Sequence, residues 1–432
     1  MNTNYTKQLL CGVTKVLCLA IMVATVGVLT SCSDNDDDSS SSSSSSSTNQ
    51  TTQVTSDTVT NYSLSSGSTA SYDSTLFIST TSDVNAIKVS SGALTITNCA
   101  VTKSGDCSNS DNSSFYGSNA AILASSSSGK VTMSKGTITT NAIGANAIVA
   151  YGGTVNVSDV TINCTKNLSR GIHATGGGTI IANNLAITTA GSNSSVIATD
   201  RGGGTVTVTG GTYTTTGTDC AVTYSTGTIT VNNITGSSSQ GEIGVIEGSN
   251  SININNSTIT SGAGSSSRGL MILQSGSGDA QGASGAINVT GGTLTLTGSL
   301  TPFIEIVTNC TGTVTLDGVS TTIPSGILMK VDYNTRWSTY GAKGYLILSG
   351  SGTTYNGNIL CDSYSTAYVT VNLGVIWSGA YDNANTGKAT TITVNGTWNM
   401  TADSYVDNIV VGSNGIINKN GHTLTYTSYT KK

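Results

Sequence analysis

Few side chains in this 432-residue chain are placed to do chemistry. Asp200 and Arg201 are adjacent, and Asp279 lies in a later glycine- and serine-rich loop. Arg268 stands two residues before an apolar anchor residue, as Arg170 does about a hundred residues earlier. With Glu247 these residues are candidates for lining a ligand groove; the plainer reading is turn chemistry plus surface charge. Glu247 and Glu305 each follow an apolar anchor residue and are two repeats apart. At about 4.8 Å per repeat that is about 9 to 10 Å, near the upper limit for an inverting carboxylate pair. An insertion between them leaves their register open, and one such pair is expected by chance. The histidines are two, His173 and His422. His173 directly follows Ile172 and is expected to be an exposed strand residue. The cysteines show neither CxxC nor zinc spacing, and no aspartate-rich calcium nonapeptide occurs. No catalytic residue, metal or cofactor is therefore assigned.

The elements that must carry these residues recur on a clock. An apolar anchor falls at Ile87, Ile122, Ile148, Ile172, Ile197, Val222, Ile246, Leu270, Ile304 and Leu328. Successive anchors are 24 to 26 residues apart, except for gaps of 35 before Ile122 and 34 before Ile304. Each anchor strand leads through a turn into an alternating strand such as Thr154-Val155-Asn156-Val157, then through a bend into a third strand such as Val160-Thr161-Ile162. Val155 and Val157 share one face by the period of two. The bend column reads Asn98, Lys135, Asp159, Asn184, Gly210, Asn233, Asn256, Gly291 and Gly318. All but Lys135 are Asn, Asp or Gly, the residues that tolerate a left-handed backbone. Three short strands cannot bury their apolar faces alone, but stacked copies can. The chain is thus expected to be all-β, a right-handed parallel β-helix solenoid of about 25 residues per coil and roughly 11 to 13 coils. A propeller needs blades of about 40 residues or more.

The long gaps mark insertions at 103–117 and 274–283, where loops leave a rigid stack and binding sites tend to sit. The outward column after each anchor reads Lys88, Leu123, Val149, His173, Ala198, Thr223, Glu247, Met271 and Glu305. The rhythm loosens after about Asp332, so residues 61–335 read as the β-helix and 336–432 as its continuation or a β cap. Trp337, Trp377 and Trp398 all fall after residue 330, as do ten of the 17 Tyr. They are expected to pack and cover the altered end; exposed, they would suit sugar stacking. Cys99 and Cys107 are near enough in sequence to bridge a loop, but the wide scatter of the six cysteines beyond residue 32 suits small apolar residues in the stack.

Residues 1–31 read as a targeting segment. Lys7 and Lys15 precede an apolar run, Val16 to Leu29, too short to cross a membrane comfortably. The run ends in Leu29-Thr30-Ser31-Cys32, a sequence resembling a bacterial lipobox, which makes Cys32 the expected lipidation site. Residues 32–60 then read as a tether: an Asp-rich stretch through Asp38, resembling a surface-export signal, and a serine tract from Ser39 to Ser47 that behaves as flexible coil. Removal of the leader leaves 15 basic against 22 acidic residues, a net charge of −7. No basic patch suggests nucleic acid.

Several phrases point to a known group. Phe115-Tyr116-Gly117-Ser118-Asn119-Ala120-Ala121, Asp200-Arg201-Gly202-Gly203-Gly204-Thr205-Val206, Val245-Ile246-Glu247-Gly248-Ser249-Asn250-Ser251-Ile252 and Ser275-Gly276-Ser277-Gly278-Asp279-Ala280 resemble bacterial cell-surface, adhesin-like β-helix proteins of the pectate-lyase-like superfamily. The closing stretch with Trp398, Asp403 and His422 is similar to their C-terminal end. The resemblance implies a lipid-anchored protein of the outer membrane, exposed at the cell surface. It would bind host or microbial glycans or matrix proteins without catalysis. The competing expectations are a polysaccharide lyase or glycoside hydrolase, and a non-catalytic protein that captures glycan for a transporter. The resemblance carries no catalytic residues across.

Overall fold

The computed structural model describes residues 57–262, 267–334, 340–382 and 390–432. The leader, Cys32, the Ser39–Ser47 tract and Trp337 lie outside the described residues. The rest winds as a right-handed parallel β-helix. Successive rungs pair in parallel from Thr58–Thr60 on Leu76–Ser79 to Ser404–Val411 on Leu424–Lys431. One sheet of 13 strands carries the anchor residues, from Tyr62–Leu64 to Tyr381–Asp382. A second sheet of 22 strands folds sharply along its length, giving the coil its other two faces. A four-stranded sheet is added between Thr354 and Asn418.

The fold in the large sheet is made by the bend column. All nine of its residues, Asn98 to Gly318, have positive φ between 47° and 67°. Lys135, the outlier by type, adopts the same conformation at 60°. Within Gly92–Lys103, Gly129–Thr140, Gly178–Thr189 and Gly204–Thr215 the corner occurs inside one 12-residue strand. A single left-handed residue redirects a strand at a cost of about 1–2 kcal/mol for a side chain with a Cβ. Asn and Asp recover part of that by hydrogen bonding along the corner. Asn98 Nδ2 donates to Asp73 Oδ1 at 2.9 Å, and Asn184 Nδ2 to Asp159 Oδ1 at 2.7 Å.

With the corners aligned, like side chains superpose. Ile122, Ile148, Ile172 and Ile197 form one inward ladder, and Val131, Val155, Ile180 and Val206 another. Val155 and Val206 are fully buried. In the later rungs some aromatic residues point inward too: Tyr355, Trp377 and Trp398 are buried, and the two indoles stack 4.9 Å apart at 12°, whereas Tyr340, Tyr364, Tyr426 and Tyr429 are exposed. Each indole N–H donates to a main-chain oxygen, of Gly357 or Gly379, at 2.9 Å. That removes the penalty of burying it.

The ladder corrects three anchors. Ile197 pairs with Thr223, not Val222; Thr223 pairs with Gly244, not Ile246; and Ile304 pairs with Met329, not Leu328. The coils are not of constant length, because the turn into the anchor strand shortens around Glu242. Counting residues therefore loses the register where hydrogen bonding keeps it. The six cysteines are all free, and Cys99 and Cys107 are not bridged. Five are buried, and burial pushes Cys164 up to about 11 and Cys310 and Cys361 up to about 12. Thiols so raised stay protonated and unreactive at neutral pH.

Two predictions follow from the corner and the core. Gly210 (φ 67°) faces open space, whereas a Cβ on its neighbour Gly211 would lie 2.2 Å from the Leu185 main-chain oxygen. Gly210→Ala should cost about 1–2 kcal/mol and Gly211→Ala distinctly more; equal shifts in the denaturation midpoint would contradict this account. Titration of the native domain with a thiol reagent should modify Cys107, the one partly exposed thiol, and leave the other five until unfolding.

Candidate functional groove

The outward positions of the anchor sheet form the floor of the groove. In the true register they run Lys88, Leu123, Val149, His173, Ala198, Tyr224, Val245, Met271, Glu305 and Lys330. Thr223 is inward, and Glu247 belongs to the next outward column, opposite Leu273. Glu247 and Glu305 are therefore not in one column, and the carboxylate pair read from the sequence does not form. Ala221, Val245, Met271, Leu273 and Val307 make a small apolar cluster on this outer surface, with Tyr224 against it.

Both insertions fold over this floor. The first contains a short helix, Ser110–Tyr116, begun by Asn109, whose side chain accepts from the Asn112 N–H, and ended by Gly117 in the left-handed region. Gly117 leaves no room for a Cβ against Val149 and Leu123, so the insertion sits directly on the outward column. Leu123, Val149, His173 and Ala198 are all buried as a result. This corrects the expectation for His173: it points outward but is fully covered. Neither of its ring nitrogens has a hydrogen-bond partner among the described residues. Burial, and secondly the charge of Arg170, hold its pKa well below the ordinary value, so it is neutral.

Asp200 and Arg170 form a buried pair beside it. Arg170 Nη2 lies 3.1 Å from Asp200 Oδ2, and its Nη1 donates to Ser114 Oγ of the helix at 3.1 Å. Burial raises the Asp200 pKa, opposed by Arg170 and the Arg201 N–H. Arg201 reaches the other way. Its guanidinium lies 3.7 Å from the centroid of the Phe115 ring, and Nη2 donates to Asp279 Oδ1 at 2.6 Å. One side chain thus fastens the first insertion to the second.

Beside the second insertion lies a cavity of about 280 Å³, lined among others by Asp219, Tyr224, Glu242, Glu247, Arg268 and Met271. A smaller hollow of about 150 Å³ adjoins it, lined by Arg170, Asn193, Ser195, Asp219 and Tyr224. Tyr224 donates to Glu247 Oε2 at 3.0 Å, and Ser275 and Ser277 of the second insertion donate to Oε1. Burial, and then the Glu247 charge, raise the Tyr224 pKa well above its usual value, so the phenol remains a donor. Arg268 is ion-paired with Glu305. Glu242, on the wall, accepts from no other side chain among the described residues; burial raises its pKa, with Arg268 opposing. Of the residues singled out in the sequence, Glu247 and Arg268 line the cavity, Arg201 and Asp279 tie its cover, and Asp200 braces its end. Tyr224, Glu242 and Asp219 escaped sequence reading, since their placement shows only once the ladder shift at Thr223 is known. Among the described residues no group of three or more His, Cys, Asp or Glu is disposed to hold a metal ion.

Two other surfaces stand out. Over eight rungs from Thr137 to Thr322 the third face presents two outward residues each, as at Thr212/Thr214, Thr258/Thr260 and Thr293/Thr295. Twelve of these sixteen are Thr, two are Ser and none is charged. A larger hollow of about 490 Å³ lies by Tyr381, Asp382 and Tyr405. It arises because the anchor sheet ends at Tyr381–Asp382 while the large sheet continues to Lys431. Among the described residues that line it there is no guanidinium. No family model matches the chain, and no curated protein or solved structure shows significant similarity to it.

The two aspartates predict opposite outcomes. Asp200→Ala strands a buried guanidinium and should cost about 3–5 kcal/mol. Asp279→Ala breaks a partly exposed pair and should cost about 0.2–1 kcal/mol in global unfolding. It should nevertheless speed hydrogen exchange or proteolysis within 274–283. A large global loss from Asp279→Ala, or none from Asp200→Ala, would refute these assignments.

Proposed function

We propose that this is a lipid-anchored bacterial surface protein that binds glycan through the covered groove and does no chemistry on it. The observation that carries the reading is how the carboxylates of the groove are used. Asp200 is held by Arg170, Asp279 by Arg201, Glu305 by Arg268, and Glu247 by Tyr224, Ser275 and Ser277. Groups committed in this way shape a site rather than shuttle protons. An apolar floor with a Tyr edge and a wall of hydrogen-bonding groups suits the two sides of a sugar ring. The uncharged threonine face supports adhesion independently, as a long rigid surface of hydroxyls and methyls. The likeness to adhesin-like β-helix proteins of the pectate-lyase-like superfamily, and the Leu29–Cys32 lipobox, support display at the outer membrane through a lipid on Cys32. The tether would hold the β-helix clear of the bilayer.

The second reading, a polysaccharide lyase or hydrolase, is favoured by one residue. Glu242 faces the cavity with a raised pKa, as a general acid would. A glycan and matrix array with the domain from residue 57 onward, paired with a reducing-end assay on every hit, separates the two. Binding without fragment release is expected. Fragment release lost in Glu242→Gln would establish the enzyme instead, and protection of the protein from protease added to whole cells would refute surface display.

A further inference from the structure

The charges around the groove do not balance, and this bears on what it binds. Asp219, Glu242 and Glu247 line it with Arg170 and Arg268, and Asp200 and Glu305 pair with those two arginines from outside the lining. Both guanidiniums are already taken up, by Asp200 and by Glu305. Glu247 is satisfied by three hydroxyls, which stabilise its charge without cancelling it. On neighbouring rungs of the same wall stand Asp219, exposed to solvent, and Glu242; among the described residues neither has an ion-pair partner, although the charge of Arg268 reaches Glu242. Asp219 is held there by its corner, where it takes a φ of 54°. Glu242 is half-buried, and that burial drives its carboxyl upward; a cation beside it would favour the ionised form.

Among the described residues no three of these carboxyls are gathered as a metal site would need. The floor in front of them is apolar, made by Val245, Met271 and Leu273 with Tyr224 at its edge. The cavity, at about 280 Å³, is the size of one or two sugar rings rather than of a folded partner. Resting on the glycan-binding reading above, we propose that the groove selects an amino sugar with a free ammonium group. The ring's C–H face lies on the apolar floor and its ammonium meets Glu242 and Asp219. The same wall repels polyuronates, whose carboxylates would face it with like charge.

The test is calorimetric titration of the domain with three tetramers of equal length, of glucosamine, N-acetylglucosamine and galacturonate. The glucosamine tetramer should bind about tenfold more tightly than its acetylated form, weaken with salt, and lose about tenfold affinity in Glu242→Gln and Asp219→Asn. Retention of the wild-type thermal midpoint shows that either variant is folded. The inference is overturned if the acetylated tetramer binds as well, if galacturonate binds better, if the variants bind glucosamine normally, or if the glucosamine tetramer does not bind. In each case a neutral glycan bound on the array leaves the broader reading standing. Failure of every glycan on the array removes that reading as well.

Discussion

Everything in this protein depends on one backbone state being repeated at one place. A left-handed residue at the corner of each coil turns the chain so that the following rung lies over the last. From that superposition come the inward ladders, the parallel hydrogen bonding and the even spacing of outward side chains. Lys135 shows how strong the demand is: a residue with no special aptitude for the conformation adopts it because the rungs on either side impose it. The corner amides of Asn98 and Asn184 add a second column of hydrogen bonds outside the core. The side chains that suit the strained backbone are also the ones that link neighbouring coils.

The same rigidity explains where charge can be placed. On the large sheet the outward positions are mostly hydroxyls and amides, which water solvates without organisation. On the anchor sheet, two insertions cover the outward column and take it out of water. A buried charge there is costly without a partner, and both guanidiniums of the groove have one, Arg170 in Asp200 and Arg268 in Glu305. His173 escapes the requirement by staying neutral. The insertions therefore create a second interior on the outer side of the solenoid, polar where the first is apolar.

Much of the fold was legible in the sequence because its rule is local. The Asn, Asp or Gly at each bend and the Val-x-Val alternation each record a backbone requirement within a few residues. The groove was less legible because it is assembled from positions related only through the ladder. Glu247 was assigned to the Glu305 column by counting, and one shortened turn moved it to another. His173 was expected in solvent because nothing near it in sequence reveals the helix that covers it. Glu242 lies in that shortened turn, where counting fails. Asp200, Arg201 and Asp279 were noticed as charges in turns, but that Arg201 spans from Phe115 to Asp279 depends on how two distant loops fold back.

That last contact sets Arg201 apart from its surroundings. A stack of coils can gain or lose a copy with little consequence, since each one meets only the coil before and the coil after. Between Arg201 and Asp279 this freedom ends. Duplicating one coil there would carry Asp279 about 4.8 Å farther away, and deleting one would bring it as much too close. The contacts of Arg170 with Ser114 and of Arg201 with Phe115 fix the number of turns in the same way, so descendants of this chain can lengthen at either end more readily than between Ser114 and Asp279.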